Sequence, residues 1–464
     1  VVTGDDEPGD PNDISPNGFV QVIELDVLTP GNSTVVDVQI PAADLSAAGC
    51  MYPNDVQPEF VDIHGNTVVV SLQENNGMAI IELAPSGPVL SRVFSTGTVG
   101  NRRADLAEED AIDFNAVYPA TVIANGDESE DPSGNVIPAG SRCPDAITFS
   151  PSGNVIYSAD EGEFNFTGGR GWSAWDLNGN FLWDDGGALE AHAVARGHYP
   201  EARSANKGIE VEGVTTVNFS GHRFAIALSE RGSFAAIYRL LDEAAPLFIQ
   251  IVPTGISPEG VVALPSKNVF VTADEVSGTL SFFQGYAGRA ALDANKPVLI
   301  SAGVDTPWAA LSGLTALPSN PNALLAVPDN ALPTSIFRID LNGGVGRVSN
   351  LGAVTANGVA MRYDGEGITL DQSILAPANP GVWIASEGDA DEVPNLLVQV
   401  DHSGAVIREI QLPASIDAAA DPNLAGNAQG GANGEMIRSN GFEGVCLSSD
   451  GRYLLAPIQR DFAG

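Results

Sequence analysis

A short acidic signal recurs about seven times along this chain, and that recurrence restricts the fold more than any other feature. A Glu or Asp opens an apolar strand, and an acidic or amide group ends the strand that follows. The openings are Pro58-Glu59-Phe60, Pro144-Asp145-Ala146, Val211-Glu212-Gly213-Val214, Pro258-Glu259-Gly260-Val261, Asp364-Gly365-Glu366-Gly367-Ile368 and Phe442-Glu443-Gly444-Val445, with Ser312-Gly313-Leu314 in the same place without its acid. The ends are Gln73-Glu74-Asn75, Asp160-Glu161-Gly162, Ser229-Glu230-Arg231, Asp274-Glu275, Asp329-Asn330, Ser386-Glu387-Gly388 and Gln459-Arg460. A repeat of this period with several short strands per unit predicts an all-β chain folded as a single seven-bladed β-propeller. Equivalent positions of all blades then face one axis, so the repeat predicts a ring of carboxylates around one channel mouth.

The ends of the chain set the expected closure. Residues 1–18 are polar and rich in Pro, Gly and Asp, and read as a flexible lead before a propeller domain over 19–464. Phe19–Leu25 and Thr34–Ile40 alternate as strands ahead of the first opening motif. The last unit has only two strands before Gly464. The economical arrangement has the N-terminal strands complete the C-terminal blade, which removes exposed sheet edges; the alternative is a natural chain that continues past Gly464. Three segments read as insertions: acidic residues 101–142, residues 163–206 with Trp172, Trp175, Trp183 and a helix near Leu189–Ala195, and Ala/Asn/Gly-rich residues 414–440. The tryptophans either line a pocket or pack under a long loop.

Charge narrows the function classes. The 464 residues carry a net charge of -38, and lysine occurs only at Lys207, Lys267 and Lys296. Duplex binding needs the opposite sign, so a nucleic-acid partner is not expected. The acidity reads either as adaptation to salt water or as a protein that meets divalent cations. No apolar run reaches the roughly 20 residues that span a bilayer. The chain starts with Val and has no apolar leader, which reads as a mature N-terminus with a signal peptide removed, and so as a secreted, periplasmic or cell-surface protein. Cys50 and Cys143 each precede the opening strand of neighbouring blades and are expected to form a disulfide on export, while Cys446 reads as a buried thiol.

The carboxylates themselves supply the candidate chemistry. Glu59, Asp145, Glu212, Glu259, Glu366 and Glu443 open inner strands; Gly follows Glu212, Glu259, Glu366 and Glu443, where the backbone is expected to come close to the axis or take special torsions. Crowded carboxylates need protonation, Arg pairing or a hard cation, and oxygen-rich sites suit Ca²⁺ or Mg²⁺. The bland alternative has each acid accept backbone N–H bonds from the next blade. A second set, Glu74, Glu161, Glu230, Glu275, Asp329 and Glu387, ends the following strands near one mouth. Arg203 and Lys207 stand in the run Glu201–Gly213 beside these acids, where they either hold a phosphate or neutralise the ring. There is no Gly-x-Ser-x-Gly elbow, Walker loop, His-Glu-x-x-His or Cys-x-x-Cys, and the five histidines show no ligand spacing.

Two stretches resemble known families. Residues 143–285 are similar to choice-of-anchor I propellers through Cys143-Pro144-Asp145-Ala146-Ile147, Ala159-Asp160-Glu161-Gly162-Glu163, Arg203–Val214, Ser257-Pro258-Glu259-Gly260 and Thr272–Thr279. Residues 360–460 resemble the esterase-like phytase family through Asp364–Ile368, Val382-Trp383-Ile384-Ala385-Ser386-Glu387, Asn440–Val445 and Ser448–Leu454. Glu163 departs from the first pattern, where relatives tend to carry Asp. The resemblance implies a secreted or surface-attached propeller with a phosphatase-like or phytase-like esterase activity.

Together these readings predict a calcium-dependent phosphoesterase. Glu161 or Glu212 acts as general base, Arg203 and Lys207 steady the phosphate, and Asp145, Asp160, Glu161, Glu230, Glu259, Glu275 and Glu387 supply metal ligands. The expected partner is a small phosphate ester. The rival reading is a non-enzymatic extracellular scaffold with structural Ca²⁺ that binds a protein or glycan.

Overall fold

The computed structural model describes residues 18–99, 105, 112, 140–163, 168–285, 297–303, 306–329, 332–371, 381–388, 395–411, 441–448 and 452–458. The chain divides into two compact units, one of Val1–Glu108, Asp113–Ala193 and His198–Ala290, the other of Glu109–Ile112, Val194–Gly197 and Ala291–Gly464. Both are built from antiparallel strands, with short helices at Ala42–Ala48 and Ala188–Val194. No helix among the described residues is long and apolar enough to cross a membrane.

The first unit holds four meandering sheets in chain order. Sheet I runs Val61–His64, Thr67–Leu72, Gly77–Ala84, Gly87–Ser95; sheet II runs Pro144–Phe149, Val155–Asp160, Gly171–Asp176, Phe181–Asp184. Sheet III runs Val211–Phe219, His222–Ser229, Phe234–Arg239, Leu247–Pro253, and sheet IV has three strands, Pro258–Leu264, Val269–Asp274 and Thr279–Gln284. In the second unit, sheet V runs Leu311–Ala316, Ala323–Pro328, Ser335–Asn342, Val345–Ala353 and gains Val298–Ser301 as a fifth strand parallel to the last. Sheet VI runs Gly365–Asp371, Gly381–Ser386, Leu396–Val400, Val406–Gln411, followed by the pair Cys446–Leu447 and Leu454–Leu455.

Each sheet is a local meander because its strands alternate and tight turns join them. The central strands are apolar on both faces, so neighbouring sheets cover them. Val69, Met78 and Ile80 of sheet I pack on Ile147, Phe149, Ile156 and Trp175 of sheet II. Ile226, Leu228 and Ala235 of sheet III meet Phe270 of sheet IV, and Leu325 and Val327 of sheet V meet Ile368, Ile384 and Val398 of sheet VI. The first strands of successive sheets lie side by side, I to II to III to IV in one unit and V to VI to Cys446–Leu447 in the other. That adjacency brings the opening motifs of each unit into one row.

Several expectations change. Among the described residues, the N-terminal strands Val20–Glu24 and Thr34–Val38 pair with each other and with no other strand. Their Val20 and Val38 join Val68, Val70 and Ile81 of sheet I in one core, and that burial draws the hairpin to the first sheet. Residues 171–184, expected within an insertion, are the third and fourth strands of sheet II. Trp172 meets Tyr238 and Trp183 edge-on and Tyr157 at a tilt, with ring centroids 4.6, 4.9 and 5.4 Å apart, so this tryptophan belongs to the core and not to a pocket. The Cys50–Cys143 disulfide is absent; both thiols are free and buried. Cys143 donates to Glu163 Oε1 at 3.1 Å, while Cys50 packs in the core of sheet I. Cys446 is exposed, not buried, because its strand lies in a two-stranded ribbon. Most of 101–142, all of 414–440, residues 1–17 and the end motif Gln459-Arg460 lie outside the described residues.

Candidate functional site

The repeated acid has a structural origin: it is the extra residue of a β-bulge. Val211 pairs with Ser229 and Gly213 with Leu228, which leaves Glu212 unpaired in the ladder. The same shift leaves Glu259 between Pro258 and Gly260, Ser312 between Leu311 and Gly313, and Glu366 between Gly365 and Gly367. In sheet II the irregularity spans Asp145 and Ala146. A bulge re-aims one side chain and ends regular pairing, and here it does so at the same place in sheet after sheet.

After two of the four acids, at Gly213 and Gly367, the glycine serves close approach, whereas a Cβ on Gly260 would meet only Ala273 Cβ at 3.3 Å and one on Gly444 would meet open space. A Cβ on Gly213 would sit 2.5 Å from the carbonyl oxygen of Glu259, and one on Gly367 would sit 2.7 Å from Gly444 Cα. Only a residue without a side chain lets adjacent opening strands come this near.

The second acidic set is tied to the first by the backbone. Glu161 N donates to Cys143 O (3.2 Å), Glu230 N to Glu210 O (2.8 Å), Glu275 N to Ser257 O (2.7 Å), Asp329 N to Ala310 O (2.9 Å) and Glu387 N to Asp364 O (2.8 Å). Each acceptor stands two residues before the bulged residue. Four of these acceptors, Cys143, Glu210, Ser257 and Ala310, hold φ of 49°, 50°, 56° and 43°, left-handed torsions that cost non-glycine residues energy. The two carboxylate sets therefore converge at one end of the strands.

In the first unit this convergence produces two carboxylate triplets. Glu161, Glu210 and Glu212 each offer an oxygen within 4.8 Å of the others, and so do Glu212, Glu230 and Glu259. Lys207 Nζ lies 2.8 Å from Glu161 Oε1, and Gln73 Nε2 donates to Glu161 Oε2. Arg203 (2.8 Å) and Arg231 (2.6 Å) both bind Glu210 Oε2, and Arg231 reaches Glu230 Oε1 at 2.9 Å. Burial, with Glu161, Glu230 and Asp145 nearby, pushes the Glu212 carboxyl up to about 10. Burial followed by Glu161 and Glu59 raises Asp145, opposed by Lys207. Glu230 is raised by burial and Glu210 against the pull of Arg231, and Glu259 by burial and its hydrogen bond with Glu275.

Of the residues singled out in the sequence, Asp145, Glu161, Glu212, Glu230, Glu259, Glu275, Arg203 and Lys207 come together here. Asp160 does not. Its Oδ1 accepts from Ser158 Oγ at 2.7 Å and its Oδ2 from Ser173 Oγ and, at 3.5 Å, Arg142, because strand alternation turns it away from Glu161. Asp274 repeats that role with Thr272 and Ser281. Glu387 belongs to the other unit, where it raises Asp364. Sequence reasoning did not assign roles to Glu210 and Arg231; the doublet Glu210-Val211-Glu212 was the available signal.

The second unit has its own triplet, Asp329, Asp364 and Glu366, with oxygens within 4.8 Å. Burial and a hydrogen bond with Asp329 push Asp364 up to about 8. Ser312 Oγ donates to Glu366 Oε2, so the one opening motif without an acid supplies a hydroxyl to its neighbour's acid.

Residues 306–464 match the Phytase-like family model, described as the esterase-like activity of phytase. Residues 163–243 match the choice-of-anchor I domain model. The first span holds the triplet of the second unit; the second holds Arg203, Lys207, Glu210, Glu212 and Glu230. Both families are those that the motifs resemble. No curated protein matches the chain. Among solved structures, a Lactobacillus plantarum protein is 10% identical over 87% of this chain and 94% of its own, with TM-score 0.34. A periplasmic gluconolactonase of Pseudomonas aeruginosa is 14% identical over 73% and 77%, TM-score 0.29. A candidate 6-phosphogluconolactonase of Bacteroides fragilis is 13% identical over 73% and 78%, TM-score 0.33. Likenesses of this size assign no activity to this chain.

Proposed function

We propose that the protein is an extracellular or cell-surface esterase that hydrolyses phosphate esters with the help of Ca²⁺. The observation that carries this reading is the Glu161–Glu210–Glu212 triplet flanked by Lys207 and Arg203, a place where hard cations and a phosphate both find opposite charge. The match of 306–464 to a family described by esterase-like activity and of 163–243 to a choice-of-anchor domain supports the class and the location. With the fold goes the proposal that the chain is a seven-bladed β-propeller.

The residues fit a calcium ion. Calcium binds oxygens at about 2.3–2.6 Å, so two oxygens on one ion lie up to about 5 Å apart, and those of the triplet are within 4.8 Å. Glu161, Glu210 and Glu212 would hold it, and when bound it would offset phosphate charge and acidify a water. Around it, Glu161 is oriented by Lys207 and Gln73 and accepts the proton of the attacking water. Arg203 and Lys207 orient the phosphate. Glu212, which holds its proton at neutral pH without a cation, is a donor or a ligand and not the base.

The test is p-nitrophenyl phosphate hydrolysis by chelator-treated protein with and without added Ca²⁺, with melting temperature measured in parallel. Activity restored by Ca²⁺ and abolished in folded Glu161→Gln is the expected result. No activity, with a large rise in melting temperature on adding Ca²⁺, transfers the protein to the scaffold reading.

A further inference from the structure

Ser312 stands where each of the other opening motifs carries an acid, and its hydroxyl donates to the acid of the next motif, at Glu366 Oε2. Both are bulge residues, left out of the ladder between Leu311 and Gly313 and between Gly365 and Gly367. The bulges re-aim the two side chains at the same end of adjacent strands. Ser312 is exposed and Glu366 half-buried, so a substrate can reach the hydroxyl. We propose that Ser312 is a nucleophile and Glu366 its general base, in a second hydrolytic site that cleaves uncharged carboxylic esters. The site lies within the second unit and does not depend on the cation-assisted reading of the first.

The backbone holds the pair together. A Cβ on Gly313 would sit 2.8 Å from Val327 Cγ1 and 3.0 Å from Ile368 N, and one on Gly365 would sit 2.6 Å from Pro328 O. Glycine at these places lets the strand of Ser312 lie against the strand of Glu366. Ala310, two residues before the hydroxyl, is held at φ 43° and accepts from Asp329 N at 2.9 Å, a strained turn that fixes where Ser312 points. A nucleophile on a base, with the base set among further polar groups, is the arrangement that activates a hydroxyl. Here those groups are Asp329 and Asp364, which hydrogen-bond each other and have oxygens within 4.8 Å of Glu366. Burial raises the Glu366 carboxyl, which makes it a stronger base than an ordinary one. The neighbours also select the substrate. Asp329 and Glu443 act on Glu366, and Glu387 acts on Asp364, so an anionic ester meets like charge and a neutral one does not. Leu314, next but one in the strand, is 57% exposed and offers apolar surface to an acyl chain. In the first half-reaction Oγ bonds the carbonyl carbon while its proton passes to Glu366. The bond from that carbon to the alcohol oxygen then breaks, and Glu366 returns the proton to the departing alcohol. In the second half-reaction Glu366 takes a proton from water, the hydroxide attacks the acyl-serine, and the proton goes back to Oγ as the carboxylic acid leaves.

The experiment treats the whole chain, kept in chelator, with a fluorophosphonate probe that labels activated serines, and follows hydrolysis of p-nitrophenyl butyrate in the same buffer. The native protein is compared with Ser312→Ala and Glu366→Gln, both checked for folding by circular dichroism. The expected result is a probe adduct located at Ser312 by peptide mass, and neither adduct nor turnover in Ser312→Ala. Labelling and turnover in Glu366→Gln, which can still accept the hydroxyl's hydrogen bond, should fall by about 10²–10⁴-fold. No adduct at Ser312, turnover unchanged in folded Ser312→Ala, or equal labelling rates in folded Glu366→Gln would each overturn the proposal. If a variant does not fold, the position of the adduct on the native chain decides. Calcium-dependent hydrolysis of p-nitrophenyl phosphate reads the first unit separately, so either site can fail without the other.

Discussion

The two units answer the same problem differently. Each brings three carboxylates within 4.8 Å of one another at a β-bulge. In the first unit, Lys207, Arg203 and Arg231 are brought to Glu161, Glu210 and Glu230, while burial and neighbouring acids push Glu212 and Asp145 far up. In the second, Asp364 is relieved by sharing a proton with Asp329, and Glu366 by the Ser312 hydroxyl. A cluster that imports cationic side chains keeps Glu161 and Glu210 beside opposite charge, which suits phosphate and metal. A cluster relieved by protons changes its charge with pH. The repeat sets the geometry, and the neighbours set the chemistry.

The sharpest way to break this contrast is to remove the ammonium. Lys207→Met leaves Glu161 buried beside other acids without its partner, and should cost about 3–5 kcal/mol in denaturant unfolding. A cost below about 1 kcal/mol would mean that the lysine does not set the character of the first cluster. Next in size are the glycines, which should respond alike in both units. Gly213→Ala and Gly367→Ala each drive a methyl into neighbouring backbone and should each cost about 1–3 kcal/mol. Unequal losses would show that the opening strands are packed differently.

Stability against pH sharpens the second half of the comparison. Asp364 is raised to about 8 from an ordinary 3.8, so the folded chain keeps a proton that the unfolded chain has lost. Its contribution is whole below pH 4, falls as pH rises from about 4 to 8, and is flat above. Asp364→Asn should remove that fall and raise the melting temperature at pH 8 by a few degrees, with little change at pH 4. For Glu212 the same decline continues to about pH 10. Smallest of all, Arg338→Met should change stability by less than about 1 kcal/mol, because the Arg338–Asp340 pair, at 2.8 Å, is partly exposed.

Particular residues show what could be read in advance. Glu212-Gly213 and Glu366-Gly367 announced both the recurrent acid and the close approach, since the acid needs the bulge and the glycine needs the neighbour. Asp160 was legible too: strand alternation puts it on the face opposite Glu161, and reading the period of two would have removed it from the ligands. Glu210 and Arg231 were harder. They lie 21 residues apart and meet only because Glu230 N bonds Glu210 O, a contact that no local pattern encodes. The cysteines failed for the same reason. Cys50 and Cys143 stand at equivalent places in the repeat, but thiol direction depends on packing, and Cys143 turns to Glu163.

What the sequence determined by itself was the all-β character, the strand-by-strand meanders and the recurrent carboxylates, because alternation, turn residues and acid-Gly spacing are local and act through the backbone. The tertiary structure alone decided which carboxylates meet, which of them take Lys207 or an arginine, and which must hold a proton. Those outcomes depend on distances between strands far apart in the chain and on the water that packing removes, and electrostatic energy in a dry, crowded place is set by both.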